Sequence, residues 1–125
     1  MSDYRLLKKY RLRNRDDFDQ VFRRRRSVAD GLLVLYACRN QLDHSRIGLV
    51  VSRKIGGAVA RNRWKRLIRE AFRLNRCRLP VSLDIVVIPR QGVDPQLARL
   101  ERSLEKLTDQ INKRLSDDEA KDVTT

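Results

Sequence analysis

The chain lacks most of the features that mark secreted, membrane-spanning or metal-binding proteins. Its two cysteines, Cys38 and Cys77, have neither a C-x-x-C nor a Cys/His spacing, which argues against a disulfide framework and against a zinc site. The longest apolar runs, residues 32–38 and 47–51, are far too short to cross a bilayer, and the basic N-terminus has no apolar signal-peptide core. We therefore expect a cytoplasmic protein with reduced cysteines.

Basic charge is abundant instead. The sequence has 29 Lys and Arg against 16 Asp and Glu, a net charge of +13 in 125 residues. A nucleic acid or an anionic membrane is the partner class that such a charge favours, and the short apolar runs weaken the membrane alternative. The length and a hydrophobic content of 41% are typical of one domain with a modest core.

Residues 53–78 concentrate this charge, with ten lysines and arginines against the single acid Glu70. Apolar residues recur there at i, i+3, i+4, i+7 and i+8, which predicts an amphipathic helix. They are Trp64, Leu67, Ile68, Ala71 and Phe72. The opposite face holds Asn62, Arg66, Arg69 and Arg73. A solvated helix with surplus arginine is the alternative, but like charges this dense repel one another, so we expect the face to bind a polyanion.

The first half of the chain predicts a helix followed by strands. Asn14 can cap the helix. Residues 28–39 are β-forming, with a turn at Asp30-Gly31 that could bend or split the strand. Residues 46–54 alternate as a second long strand, and the two strands together look like an antiparallel hairpin.

The second half predicts the basic helix from about Ala58, a buried strand at residues 83–89 and a last helix that begins at Asp94-Pro95. The last helix carries more acidic than basic side chains, so we expect it to pack away from the nucleic acid.

These elements predict a two-layer α/β sandwich in the order α-β-β-β-α-β-α. We expect a mostly antiparallel sheet, in which the strands before and after the basic helix could form one parallel pair. Residues 1–14 are predicted as a basic arm, residues 15–115 as one α/β domain that binds nucleic acid, and residues 116–125 as a disordered tail.

No group of residues points to catalysis by the chain itself. His44, the sole histidine, lies in a polar loop without an obvious partner for acid/base chemistry. Asp16, Asp17, Asp19 and Asp84 could hold magnesium. The first two are better explained as residues that favour the positive end of a helix, and Asp84 as a strand-entry residue.

The segment SRKIGGAVARNRWKRLIREAFR, residues 52–73, resembles the signature of the protein subunit of bacterial ribonuclease P. The Arg11-Leu12 pair, two phenylalanines in the first helix and the strand D-I-V-V-I-x-R also match, so the resemblance covers most of residues 10–107. Trp64 and Gly57 depart from the usual pattern without removing a proposed RNA contact.

The resemblance implies a ribonucleoprotein that cuts the 5′ leader from precursor tRNA, with catalysis and Mg²⁺ both carried by the RNA subunit. It implies a left-handed crossover around the basic helix, contrary to the general rule. The partners would be the catalytic RNA and precursor tRNA, without an obligate protein partner. The residues implied to bind the RNA subunit are Arg61, Asn62, Arg63, Lys65, Arg66 and Arg69. Those implied to line a cleft for the leader are Phe18, Phe22, Tyr36, Ser52, Lys54 and Arg90.

Other interpretations stay open at this point. At helical spacing, Phe18 and Phe22 could simply be core residues. A small ribosomal protein would share the charge, the size and the fold type. A stand-alone metal-dependent nuclease and a DNA-binding module are further alternatives, although no recognition pairing or dimer signature favours the latter.

Overall fold

The computed structural model describes residues 6–123, and side chains up to Lys121. The elements are α1 (Arg15–Arg23), β1 (Ser27–Ala29), β2 (Leu33–Arg39), β3 (Arg46–Leu49), α2 (Ala58–Asn75), β4 (Leu83–Pro89) and α3 (Leu97–Val123). This order confirms the predicted α-β-β-β-α-β-α arrangement. Among the helices of residues 6–123, none combines the length and the apolar character that crossing a bilayer requires.

The four strands form one sheet in the order β1-β2-β4-β3. β4 runs antiparallel to β2 and parallel to β3, which confirms the predicted parallel pair around the basic helix. The predicted hairpin between residues 28–39 and 46–54 is wrong, because β4 lies between β2 and β3. The hairpin is instead formed by β1 and β2, whose turn is held by Asp30: its Oδ1 accepts hydrogen bonds from the backbone N–H groups of Leu32 and Leu33. The predicted second long strand is also shorter, since β3 ends at Leu49.

The alternation of side chains gives the sheet two different faces. Leu33, Leu35, Ile85 and Val87 point to the face covered by α2 and α3, where they are fully buried. The alternate positions on β2 and β4 point to the face covered by α1. They include Tyr36, Cys38, Val86 and Ile88.

The apolar stripe of α2 lies against the sheet as predicted. Trp64, Ile68, Ala71 and Phe72 are buried, and α3 packs beside them along its own row of leucines. This packing fixes which side of α2 faces outward.

Residues 6–14 and 116–123 are more ordered than the sequence predicted. The expected basic arm is wrong for residues 6–14: Leu6, Tyr10 and Leu12 are buried, and the Leu12 N–H donates to the Ile47 carbonyl at 2.9 Å. Residues 1–5 of that arm lie outside the described residues. The expected disordered tail is wrong up to Val123, where α3 ends, while residues 124–125 lie outside the described part.

Candidate nucleic-acid interface

The outward side of α2 carries cations without partners. Asn62 and Arg66 are exposed, and Lys65 is half-buried. Arg61 is also half-buried, and its Nε is buried without a hydrogen-bond partner. Among residues 6–123, the side chains of these four residues and of Arg69 form no hydrogen bond or ion pair with another group. The cationic charge of α2 is therefore not balanced within the described fold.

Arg63 differs from the other predicted RNA-binding residues. Its Nη1 lies 3.1 Å from Asp94 Oδ1, and its Nη2 donates to the Pro95 carbonyl at 3.4 Å. Arg63 therefore joins α2 to the segment that precedes α3. No local pattern indicates this pair, because the partners are 31 positions apart in the sequence.

Helical spacing predicted that Arg69 shares an exposed face with Arg66. In the structure Arg66 is exposed, whereas Arg69 is half-buried. It lines a cavity of about 340 Å³ at the outer edge of β3, together with Arg11, Arg13 and Phe18. Burial, and then the nearby charge of Arg11, lower the pKa of Arg69. The segment before α1 thus adds two arginines to the candidate interface. The resemblance had drawn attention to Arg11 alone.

Three aromatic rings meet between α1 and the sheet. Phe22 and Tyr36 contact each other edge to face, with ring centroids 5.0 Å apart. Phe18 lies over Gly48, where a Cβ atom would come within 2.5 Å of Phe18 Cζ, so only glycine allows this close approach. All three rings are half-buried around a small buried cluster of Leu12, Val21, Cys38 and Val86.

The polar residues predicted for the leader cleft lie at one end of the sheet. The Val50 N–H donates to the Val87 carbonyl, so the chain after β3 continues beside β4 towards Ser52. The Arg90 N–H donates to the Leu32 carbonyl at the same end. Ser52, Lys54 and Arg90 are exposed there. The sheet surface between them and the aromatic rings is formed by Val34 and Ile88, both half-buried.

The other end of this face is closed by matched charges. Buried Asp84 accepts from Arg46 Nε at 2.9 Å and from Arg46 Nη2 at 2.6 Å, and Asn40 donates to the same carboxylate. Asp17 lies 3.5 Å from Arg46 Nη1. Two of the four aspartates considered as magnesium ligands, Asp17 and Asp84, are thus engaged in structural contacts with Arg46. Within residues 6–123, no group of three or more His, Cys, Asp or Glu side chains could hold a metal ion.

The expectation that His44 has no partner is wrong. Its Nδ1 lies 2.8 Å from Asp43 Oδ1, its Nε2 lies 3.0 Å from the Lys9 carbonyl, and its ring meets Tyr10 edge on. These contacts hold the N-terminal segment against the domain.

A small α/β sandwich with an unbalanced cationic helix and an adjoining aromatic surface is typical of RNA-binding proteins. Comparison with known proteins identifies the family. The Ribonuclease P family model matches residues 6–112. The ribonuclease P protein component of Staphylococcus aureus is 38% identical over 115 residues, which is 88% of this chain and 97% of that protein. The chain belongs to the ribonuclease P protein family.

Solved structures agree with this assignment. A mutant of the S. aureus RNase P protein matches with a TM-score of 0.72 and 39% identity, covering 80% of this chain and 86% of that one. The RNase P protein of Thermotoga maritima matches with a TM-score of 0.70 and 40% identity, covering 78% and 99%. The α/β fold and the family resemblance predicted from the sequence are confirmed. The roles of individual site residues stay predictions, as does the left-handed crossover.

Proposed function

We propose that this chain binds the catalytic RNA of ribonuclease P through α2 and the 5′ leader of precursor tRNA through the cleft beside α1, in the bacterial cytoplasm. The observation that carries the proposal is the set of unpartnered cations on α2. A folded protein gains little stability from such a cluster, because its members repel one another. RNA phosphates would remove that repulsion.

The side chains suit phosphate binding. Arg66 and Arg69 offer planar guanidinium groups that can bind phosphate oxygens in pairs, and Lys65 adds a compact positive charge. Each phosphate contact releases condensed counterions, so affinity should fall steeply as salt rises. Arg63 is the weaker candidate, because RNA must compete with Asp94 for it.

The half-buried rings support the second contact. Aromatic side chains bind unpaired bases by stacking, with little preference for sequence. The sheet surface at Val34 and Ile88 connects Phe22 and Tyr36 to the exposed cations Lys54 and Arg90 at one end of the sheet. A single-stranded leader needs both features.

Catalysis would belong to the RNA subunit, which would hold Mg²⁺ and the attacking water for hydrolysis of the leader. Asp17, Asp84 and His44 already serve structural contacts within the protein. The protein's part is then electrostatic: it would neutralise phosphates where the RNA subunit and the substrate converge.

The α2 contact is tested by the salt dependence of binding to ribonuclease P RNA. An Arg66→Gln variant should bind more weakly, and the slope of log affinity against log salt should become shallower by about 0.7 to 0.9. The matched control is Arg26→Gln, because Arg26 is paired with Asp118 at 2.7 Å and lies away from α2. Equal slopes for Arg66→Gln and the wild type would contradict the proposed face.

The leader contact is tested in the reconstituted holoenzyme with precursor and mature tRNA. Phe22→Leu retains an apolar side chain but removes the flat ring, and it should weaken precursor binding by about 1 to 3 kcal/mol per lost base stack. Mature tRNA should bind as before. Equal losses for both ligands would rule out a leader cleft at this position.

A further inference from the structure

A second basic surface lies around the end of the sheet, on α3. A cavity of about 390 Å³ separates the β1–β2 turn from the first turns of α3, and it is lined by Asp30, Gly31, Leu32, Arg99, Arg102, Ser103 and Lys106. The excess of acid on α3 does not apply to this part of the helix. Residues 107–125 hold five of the eight acidic side chains found in residues 94–125.

The one carboxylate at the cavity is already satisfied. Asp30 Oδ1 accepts from two backbone N–H groups, and Oδ2 accepts from Ser103 at 2.7 Å and lies 3.4 Å from Lys106 Nζ. Among residues 6–123, Arg99 and Arg102 form no hydrogen bond or ion pair through their side chains, and both are exposed. The nearby acid Glu101 accepts from Asn75 on α2 instead. Two unpaired guanidinium groups therefore stand at the mouth of the cavity.

The cavity begins where the aromatic cleft, the surface from Phe22 and Tyr36 to Arg90, ends. Arg90 donates to the Leu32 carbonyl, so the cleft residue Arg90 and the cavity residue Leu32 are direct neighbours. Leu32 immediately precedes β2, and the distance along the strand from Leu32 to Tyr36 is about 13 Å. A single strand stacked on Tyr36 and directed towards Arg90 would reach Arg99 and Arg102 within a few nucleotides.

We propose that Arg99 and Arg102 form a distal phosphate site for the 5′ leader of precursor tRNA, beyond the aromatic cleft. The proposal rests on the proposed function, since it extends the leader's path. Residues three apart on a helix are neighbours, with Cβ atoms about 5 to 6 Å apart, so the two guanidinium groups can bind successive phosphates of one strand. The site carries no ring that would read a base, so it should be indifferent to leader sequence.

The experiment measures the affinity of the reconstituted holoenzyme for precursor tRNAs whose leaders range from about 4 to about 16 nucleotides, with mature tRNA included. The variant is Arg99→Gln/Arg102→Gln. It should match the wild type on mature tRNA and on the shortest leaders, and bind the longest leaders about 3- to 10-fold more weakly. Its salt slope on long leaders should be shallower by about 1 to 1.5, because two single-strand phosphate contacts are lost.

Two controls separate charge from other effects. Arg99→Lys/Arg102→Lys keeps the charge and should retain most of the affinity for long leaders. Lys113→Gln removes an exposed charge from the later part of α3 and should have no length-dependent effect. A loss that is equal for all leader lengths, or no loss at any length, would overturn the distal site while leaving the cleft intact. A wild-type holoenzyme that binds precursor and mature tRNA equally would overturn the leader-binding function itself.

Discussion

The two faces of the sheet are built differently. On the α2 and α3 side, side chains such as Leu35, Ile68 and Leu104 are fully buried in one large core. On the α1 side, the fully buried set is small, and the aromatic rings around it stay half-buried. α1 has 9 residues, whereas α2 has 18 and α3 has 27, so α1 cannot cover its face. The first face supplies stability, and the second leaves an aromatic surface available to a ligand.

Truncation in the large core should have the largest effect. Leu104→Ala removes a side chain with 0% exposure and should lower the free energy of unfolding by about 3 to 5 kcal/mol. Urea titration measures this loss. The matched control is Leu74→Ala, because Leu74 is 45% exposed on α2 and its truncation should cost much less. Similar losses at the two positions would break the distinction between core and surface.

Asp84→Asn tests the matched charges that close the α1 face. Removing the negative charge leaves Arg46 without its bidentate partner in a partly buried site, so the variant should lose about 3 kcal/mol of stability. Chemical denaturation followed by circular dichroism would show the loss. A variant as stable as the wild type would mean that Asp17 alone satisfies Arg46.

Gly48→Ala tests how closely α1 lies on the sheet. The added Cβ would overlap the Phe18 ring, so we expect a loss of about 1 to 3 kcal/mol. Combining it with Phe18→Leu should recover part of that loss, since the smaller side chain removes the overlap. Strictly additive effects in this double-mutant cycle would contradict the close approach.

The smallest expected effect is the contribution of Asp30, in the turn between β1 and β2, to the pH dependence of stability. Burial by itself raises the pKa of Asp30, but hydrogen bonds from Ser103, Leu33, Leu32 and Lys106 outweigh it and lower the pKa below its ordinary 3.8. A carboxyl whose pKa is lowered by folding contributes stability that is fully present above its unfolded-state pKa and is lost as pH falls through the folded-state pKa.

The measurement for Asp30 is thermal unfolding between neutral pH and strongly acidic pH. The stability difference between the wild type and Asp30→Asn should shrink as pH falls below about 4. A difference that grows on acidification would show that the hydrogen bonds do not favour the ionised form.

The structural features that depend on local sequence patterns were predicted correctly. The apolar stripe of α2 is buried as its spacing indicated, and Asn14 caps α1 by accepting from the Asp17 N–H at 2.9 Å. The turn at Asp30-Gly31 does separate β1 from β2. Local chemistry sets each of these features.

Long-range pairing was predicted only in part: the parallel pair of β3 and β4 was expected, but the place of β4 beside β2 was not. Consecutive strands usually pair, but α2 carries the chain back so that β4 enters between β2 and β3. Tyr10 fell within the predicted basic arm, because no residue near it in the sequence indicates that His44 and Arg76 flank its ring. Helical spacing likewise placed Arg69 with Arg66, since it could not show that Arg11 and Arg13 would surround Arg69.

The most direct test of the account is cleavage of precursor tRNA at low magnesium by the purified protein alone, by a bacterial ribonuclease P RNA alone, and by the two combined. We expect the protein alone to be inactive and the mixture to release the 5′ leader faster than the RNA alone. Cleavage by the protein alone would contradict the account, and so would a mixture that is no faster than the RNA.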